Sequence, residues 1–189
     1  MSGRPSKIDP KKALEQAMIL FWEHGYSATS VAQLESALGA GRQSIYNTFG
    51  DKKSLFLKAY QHYLDTRLKS ALALLQIDGS PQEKLRNLFL NSLDCTSEKH
   101  LGCFIGNSLA TPASHQPEIE TITNQAIQTF ISALSAAITP LFSNQDTRSA
   151  AAWNLLTLFQ GTQLIAKQKN TRESLLTAIN HHIDQLSSL

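Results

Sequence analysis

Apolar side chains recur along almost the whole chain at helical spacing, returning about every 3.6 residues. Ala13, Ala17, Leu20 and Phe21 fall at i, i+4, i+7 and i+8. They predict a first helix over Pro10–Glu23, ended by His24-Gly25. Val31, Leu34 and Leu38 form the stripe of a second helix, which stops at Gly39. It opens at Ser30 with Gln33 three residues on, so that each side chain caps the other's backbone. A short link, Gly39-Ala40-Gly41, leads to a third helix over Arg42–Phe49. Gly50-Asp51 breaks the chain and caps a fourth, Lys52–Gln76.

The remainder follows the same rule with longer elements. Ser80-Pro81-Gln82-Glu83 starts a helix running to Thr96, with Ser as cap and Pro at the first helical position. A short helix is expected over Gly102–Ala110, halted by Pro112, and another from Pro117 to Ala137, closed at Pro140. Asp146 is expected to cap a helix to Lys169, and Asn170, with Glu173 three on, a last one to Leu186. Alternating strand patterns are hard to find. The fold class is all-α: an N-terminal three-helix bundle with a helix-turn-helix, then a larger helical domain, about nine helices in all.

Charge sharpens this division. The 189 residues carry 17 Lys and Arg against 15 Asp and Glu, net +2, which excludes a histone-like polybasic chain. Residues 1–58 hold eight basic residues against five acids, net +3; residues 59–189 hold nine against ten, net −1. The boundary is therefore placed at 58/59. The uncharged stretches 121–145 and 149–166 are studded with Asn, Gln, Thr and Ser and read as helices buried in protein, not in a membrane. Two cysteines, Cys95 and Cys103, are too few for a disulfide scaffold, and the N-terminus has no apolar leader, so a cytoplasmic location is expected.

The chemistry concentrates in residues 30–49. Two short helices joined by a glycine-containing turn make a helix-turn-helix, whose second helix meets base edges in the major groove. Ile45 and Phe49, at i and i+4, should face the bundle. Arg42, Gln43, Ser44, Tyr46 and Asn47 then point outward, and no acid lies between Glu35 and Asp51. Arg pairs with guanine, Gln and Asn with adenine, Ser with base or phosphate. Tyr hydroxyls and Lys ammonium groups hold phosphates, and Lys52 and Lys53 open the fourth helix, where the helix dipole also favours an anion.

From Ala13 to Tyr60 the chain resembles the N-terminal DNA-binding domain of the tetracycline-repressor (TetR/AcrR) family. Ala17, Phe21, Gly25-Tyr26, Thr29-Ser30-Val31, Leu38-Gly39, Ser44-Ile45-Tyr46, Phe49, Lys52 and Leu55-Phe56 carry the likeness. Beyond Tyr60 the likeness is one of helix pattern, except that Gly102-Cys103-Phe104-Ile105-Gly106-Asn107 is similar to a segment in one branch of the family. Arg42-Gln43 and Ala40 depart from the family's usual residues and leave the operator sequence open. The resemblance implies a homodimeric one-component regulator, a repressor of a palindromic operator in double-stranded DNA. It implies phosphate contacts at Thr29, Ser30, Tyr46 and Lys52, and groove-facing roles for Arg42, Gln43, Ser44 and Asn47, with Thr48 beside them. The arm with Arg4 and Lys7 is expected to add minor-groove or backbone contacts. Residues 1–58 become the DNA-binding domain and 59–189 the ligand-binding and dimerisation domain.

In that second domain Leu176, Ile179, Ile183 and Leu186 recur as a narrow stripe, and Gly161 would admit a close helix. The stripe suits either an internal core seam or a dimer surface, and the family resemblance favours these residues as the dimer interface. Tyr60, Tyr63, Phe89, Leu93, Cys103, Phe104, Asn107, Phe130, Trp153 and Phe159 are candidates to line an inducer pocket, mostly apolar and poor in charge. A small neutral or hydrophobic inducer is expected. Cys103, early in a short helix with His100 and Lys99 upstream and Cys95 as a possible partner, carries an alternative: an electrophile- or redox-sensing repressor. A helical ligand-binding protein without DNA binding is the third reading. Enzyme signals are poor. Gly39-Ala40-Gly41 lacks the third glycine of a dinucleotide fingerprint and follows a helix, and no hydrolase, zinc-protease or P-loop motif occurs. His181-His182 point about 100° apart on a helix, and Glu118 and Glu120 read as a solvated helix start. No cofactor, catalytic residue, metal site or membrane partner is expected.

Overall fold

The computed structural model describes residues 8–94 and 101–186, and every regular element among them is helical. Helix α1 spans Pro10–Ala28. The Asp9 carboxylate accepts from the backbone N–H groups of Lys11 and Lys12, at 3.0 and 3.4 Å. Gly25, at φ 77°, breaks the helix where the sequence ends it, and helical turns resume as far as Ala28. Helix α2 (Val31–Leu38) carries the reciprocal Ser30–Gln33 cap and stops at Gly39, φ 61°. Helix α3 is Arg42–Phe49. Helix α4 (Lys52–Tyr63) is capped by Asp51, whose side chain accepts from Ser54 N–H at 2.7 Å.

Beyond Tyr63 the expected single helix to Gln76 is interrupted. Leu64–Leu68 form a wider π-helical turn before α5, Lys69–Ala73. Next come α6 (Pro81–Leu93), α7 (Phe104–Leu109) and, after a 3₁₀ turn at Pro112–His115, α8 (Pro117–Ala137). A second 3₁₀ turn, Thr139–Leu141, leads to α9 (Gln145–Ile165), and α10 is Arg172–Gln185. With α4 and α5 counted as one interrupted helix, nine α-helices lie among the described residues.

Two caps differ from expectation. Asn144, not Asp146, caps α9, because its side chain accepts from both Asp146 and Thr147 N–H. Asn170 caps nothing: it sits at φ 64°, the left-handed region that asparagine tolerates, and α9 ends at Ile165 before it.

The chain forms two compact units. One takes the residues up to Thr66 together with Asn107–Thr123; the other takes Arg67–Gly106 and the residues from Asn124 onward. In the first, α1 packs along α4 through Ala17, Met18, Phe21, Leu55, Phe56 and Ala59, all buried. Phe56 is the hub. Phe21 and Tyr26 meet it edge-on at 5.1 and 5.2 Å, and Tyr60 stacks on it at 5.8 Å. Each such burial stabilises the unit by about 1.5–3 kcal/mol. His62 on α4 meets the Glu15 carboxylate on α1 at 2.8 Å. The first turns of α8 join this unit through buried Ile119 and through Thr123 Oγ1, which donates to Tyr60 Oη at 3.3 Å.

In the second unit Phe159 of α9 meets Phe89 of α6 at 5.6 Å and Phe130 of α8 at 5.0 Å. Helix α10 packs along α6, with Arg86–Asp184 and Arg172–Asp94 ion pairs on the rim. The Gly102–Gly106 segment gains a physical reason here. A Cβ on Gly102, at φ 75°, would sit 2.6 Å from Lys167 Cε, and one on Gly106 would sit 2.4 Å from Gln160 Oε1. Gly106 makes room for Gln160 of α9, and Gly102 for Lys167 just past its end.

Leu34 is the buried residue of α2. Leu34→Ala should cost about 2–5 kcal/mol, read as a fall in the urea unfolding midpoint; an unchanged midpoint would mean α2 does not depend on this contact.

Candidate nucleic-acid interface

Ile45 and Phe49 are 0% and 5% accessible, which fixes the rotation of α3 about its axis. With that face pinned, Arg42, Gln43, Asn47 and Thr48 are exposed, and Ser44 and Tyr46 half-buried. The outward side chains are ordered in pairs. The Arg42 guanidinium lies over the Tyr46 ring, 5.3 Å from its centroid. Gln43 Nε2 donates to Asn47 Oδ1 at 3.0 Å, and Thr48 Oγ1 donates to Ser44 O at 2.9 Å. Side chains already held by neighbours lose less freedom on binding.

Gly41 has no side chain to cap α3. The Glu35 carboxylate, on α2, does so instead, accepting from Arg42 N–H at 2.6 Å. Sequence reasoning treated Glu35 only as the edge of an acid-free stretch. The signal available was a helix starting after glycine with a carboxylate seven positions upstream, on the preceding helix. At the other end of α3, Lys58 Nζ donates to Phe49 O at 2.9 Å, a cation at a helix C-terminus that was also missed.

The phosphate candidates divide. Ser30 is exposed at the start of α2, its hydroxyl oxygen accepting from Gln33 N–H at 3.2 Å. Thr29 is a correction: it is fully buried, and its hydroxyl donates to Gly25 O at 2.7 Å, closing the end of α1. Its side chain is not presented to a phosphate. Lys52 is half-buried with its ammonium 4.6 Å from the Tyr26 ring centroid, and burial pulls its pKa below the ordinary lysine value. Asp51 is held below the usual carboxylate range, first by the Ser54 backbone N–H. Lys53 Nζ meets Glu118 Oε1 at 2.6 Å, so Glu118 is not the merely solvated helix start that its position suggested. That hydrogen bond raises the pKa of Lys53 and lowers that of Glu118. Arg4 and Lys7 lie outside the described residues.

Residues 13–59 match the family model described as "Bacterial regulatory proteins, tetR family". Those residues are a tetR-family segment. It is 35% identical over 119 residues to the uncharacterized HTH-type transcriptional regulator YezE of Bacillus subtilis, covering 62% of this chain and 61% of YezE. It is 37% identical over 112 residues to the HTH-type transcriptional repressor ComR of Escherichia coli, covering 58% of this chain and 53% of ComR. The match therefore spans little more than half of either relative. The E. coli repressor BdcR is 27% identical over 186 residues, 97% of this chain and 86% of BdcR. Among solved structures, a cysteine mutant of the tetR-family regulator CifR complexed with 26-bp double-strand operator DNA superposes with TM-score 0.84 at 23% identity, over 96% of this chain and 98% of that one. Reduced E. coli NemR gives 0.78 at 18% identity, over 94% and 96%. These superpositions establish the fold.

The remaining candidates separate by unit. Tyr60, Tyr63 and Asn107 belong to the first: Tyr63 packs edge-on against Trp22 at 4.9 Å, and Asn107 Nδ2 donates to Trp22 O at 3.3 Å. Phe89, Phe104, Phe130, Phe159 and Cys103 are buried in the second, with Leu93 half-buried. The Cys103 thiol accepts from Gln160 Nε2 at 3.5 Å; Cys95, Lys99 and His100 lie outside the described residues. Trp153 is a correction, since it is 46% exposed on α9 and lines no interior. So is the α10 stripe: Ile179, Ile183 and Leu186 are buried within the chain itself, where α10 packs on α6, leaving Leu176 half-buried. Among the described residues no group of three His, Cys, Asp or Glu is placed to hold a metal ion, and no helix is long and apolar enough to cross a membrane.

Glu35→Ala should lower stability by about 1 kcal/mol, the usual worth of a helix cap, and speed amide exchange at Arg42. Glu35→Gln, which keeps an acceptor, should recover most of the loss; equal exchange in all three proteins would show that the carboxylate caps nothing.

Proposed function

We propose that the chain is a ligand-responsive one-component transcriptional regulator, a repressor that binds a palindromic operator as a homodimer and is released by a small neutral or hydrophobic inducer. The observation that carries this is the outward face of α3: an exposed, acid-free set of amides, hydroxyls and a guanidinium on a helix of fixed rotation. Arg42, Gln43, Ser44, Asn47 and Thr48 read base edges, with Arg42 suited to guanine and the amides to adenine. Ser30, Tyr46 and Lys52 hold phosphates on either side. The names of the repressors ComR and BdcR, and the operator complex of the CifR mutant, support the same reading. Its work is binding, not catalysis, and its place is the cytoplasm.

Residues 1–58 serve DNA and residues 59–189 serve the ligand and the second copy. Helix α9 supports the dimer. Trp153, Leu164 and Ile165 are 46%, 65% and 49% exposed, and a Cβ on Gly161 would meet nothing within 4 Å. A partner chain covering this face would bury three large apolar side chains and set two reading heads on half-sites roughly 34–36 Å apart. The aromatic cluster Phe89–Phe130–Phe159, with Leu93, Cys103 and Phe104, supports an apolar ligand site. The Thr162 hydroxyl, 2% accessible and without a hydrogen-bond partner, supports a neutral ligand bearing a carbonyl or hydroxyl group. DNA and ligand then oppose each other through one coupling free energy, typically about 1–3 kcal/mol.

Binding of genomic fragments by fluorescence anisotropy tests the reading. Asn47→Ala should cost roughly 1–3 kcal/mol on the operator and relax preference at one base pair. Lys52→Ala should weaken all duplexes alike and flatten the log–log salt slope by about 0.9. Wild-type affinity in both variants sinks the assignment of α3 and α4. Leu164→Glu should turn a dimer into a monomer in sedimentation; a dimer that survives places the interface elsewhere.

A further inference from the structure

Lys52 and Lys53 stand side by side in the first turn of α4 but meet different surroundings. Lys52 leans on the Tyr26 ring. Lys53 is engaged by an acid 65 positions later in the chain, Glu118 in the first turn of α8, at 2.6 Å. Both side chains remain open to water, 38% and 50% accessible. An ion pair so exposed is weak, so another anion can compete for the lysine. Glu118 is nevertheless well placed. Its neighbour Ile119 is fully buried, and two turns along α4 the Thr123 hydroxyl donates to buried Tyr60 at 3.3 Å. The start of α8 is thereby fixed against α4, and the carboxylate stays beside Lys53.

We propose that Lys53 is a further phosphate ligand of the DNA interface and that Glu118 withholds it, holding down affinity for every duplex irrespective of sequence. The inference rests on the DNA-binding reading above. A lysine exchanges a carboxylate for a phosphate at little cost. The carboxylate left behind, however, is a bare negative charge beside a polyanion, and that repulsion keeps the lysine where it is. The other acid near Lys53, Asp51, is occupied in capping Ser54 N–H and does not substitute for Glu118.

The experiment is a salt titration of duplex binding by wild type, Glu118→Gln, Lys53→Gln and the double variant, each first checked for an unchanged unfolding midpoint. Glu118→Gln keeps the shape and removes the charge. It should bind a mixed-sequence duplex roughly twofold to fivefold more tightly at low salt, the scale of one surface ion pair. Its log–log salt slope should steepen by about 0.9, one more phosphate neutralised. In the double variant the gain should vanish. Unchanged affinity in Glu118→Gln overturns the proposal. So does a gain that survives Lys53→Gln or comes with an unchanged slope, because either means only that a negative charge has been removed. If wild type and Glu118→Gln both ignore duplex DNA, the DNA-binding reading itself fails and the proposal with it. Wild-type binding that is weakened by Lys52→Ala but indifferent to Glu118→Gln isolates the failure to Lys53.

Discussion

Turning α3 by a third of a revolution would bring Ile45 and Phe49 into water, at about 1.5–3 kcal/mol for each side chain. Everything proposed for the DNA face depends on that cost. A helix of eight residues has too few internal hydrogen bonds to hold its own orientation, and its stability comes from the face it buries. Because Ile45 and Phe49 are one turn apart, they pin a line along the helix and not a point. The polar residues between and beside them are outward by elimination. The Arg42–Tyr46 and Gln43–Asn47 pairs then follow from the same i, i+4 spacing on adjacent strips of the helix surface.

Acids have a consistent place in this arrangement. Glu35 caps α3, Asp51 caps α4 and Glu118 sits on Lys53. None stands among the outward residues of α3. Two carboxylates are spent on backbone N–H groups at helix starts, where the helix dipole favours them. Negative charge is thus used to build the frame of the face while the face itself stays free of it.

The sequence disclosed what depends on near neighbours. The helix order, the break at Gly25, the Ser30–Gln33 cap and the burial of Ile45 and Phe49 are all set within a few residues, and periodicity and capping chemistry report them. Distant partners were not legible. The Lys53–Glu118 pair joins positions far apart in the chain, and nothing in either local stretch announces the other. Thr29 illustrates a different limit: a threonine that ends one helix and one that meets a phosphate look alike until its hydroxyl is seen on Gly25 O. The α10 stripe had the spacing of a helix–helix seam, but a seam with α6 of the same chain and a seam with a second copy share one pattern. The π-helical turn at Leu64–Leu68 also left no trace, since its residues continue an ordinary helical run.

The chain contains two tryptophans, one in each compact unit. Trp22 is half-buried edge-on to Tyr63, whereas Trp153 stands 46% exposed on α9. Nature has thereby labelled the two halves with intrinsic fluorophores of opposite solvation. A Trp153→Phe protein emits from the first unit alone and a Trp22→Phe protein from the second. Denaturation of each half can be followed by its own emission wavelength, without an added dye.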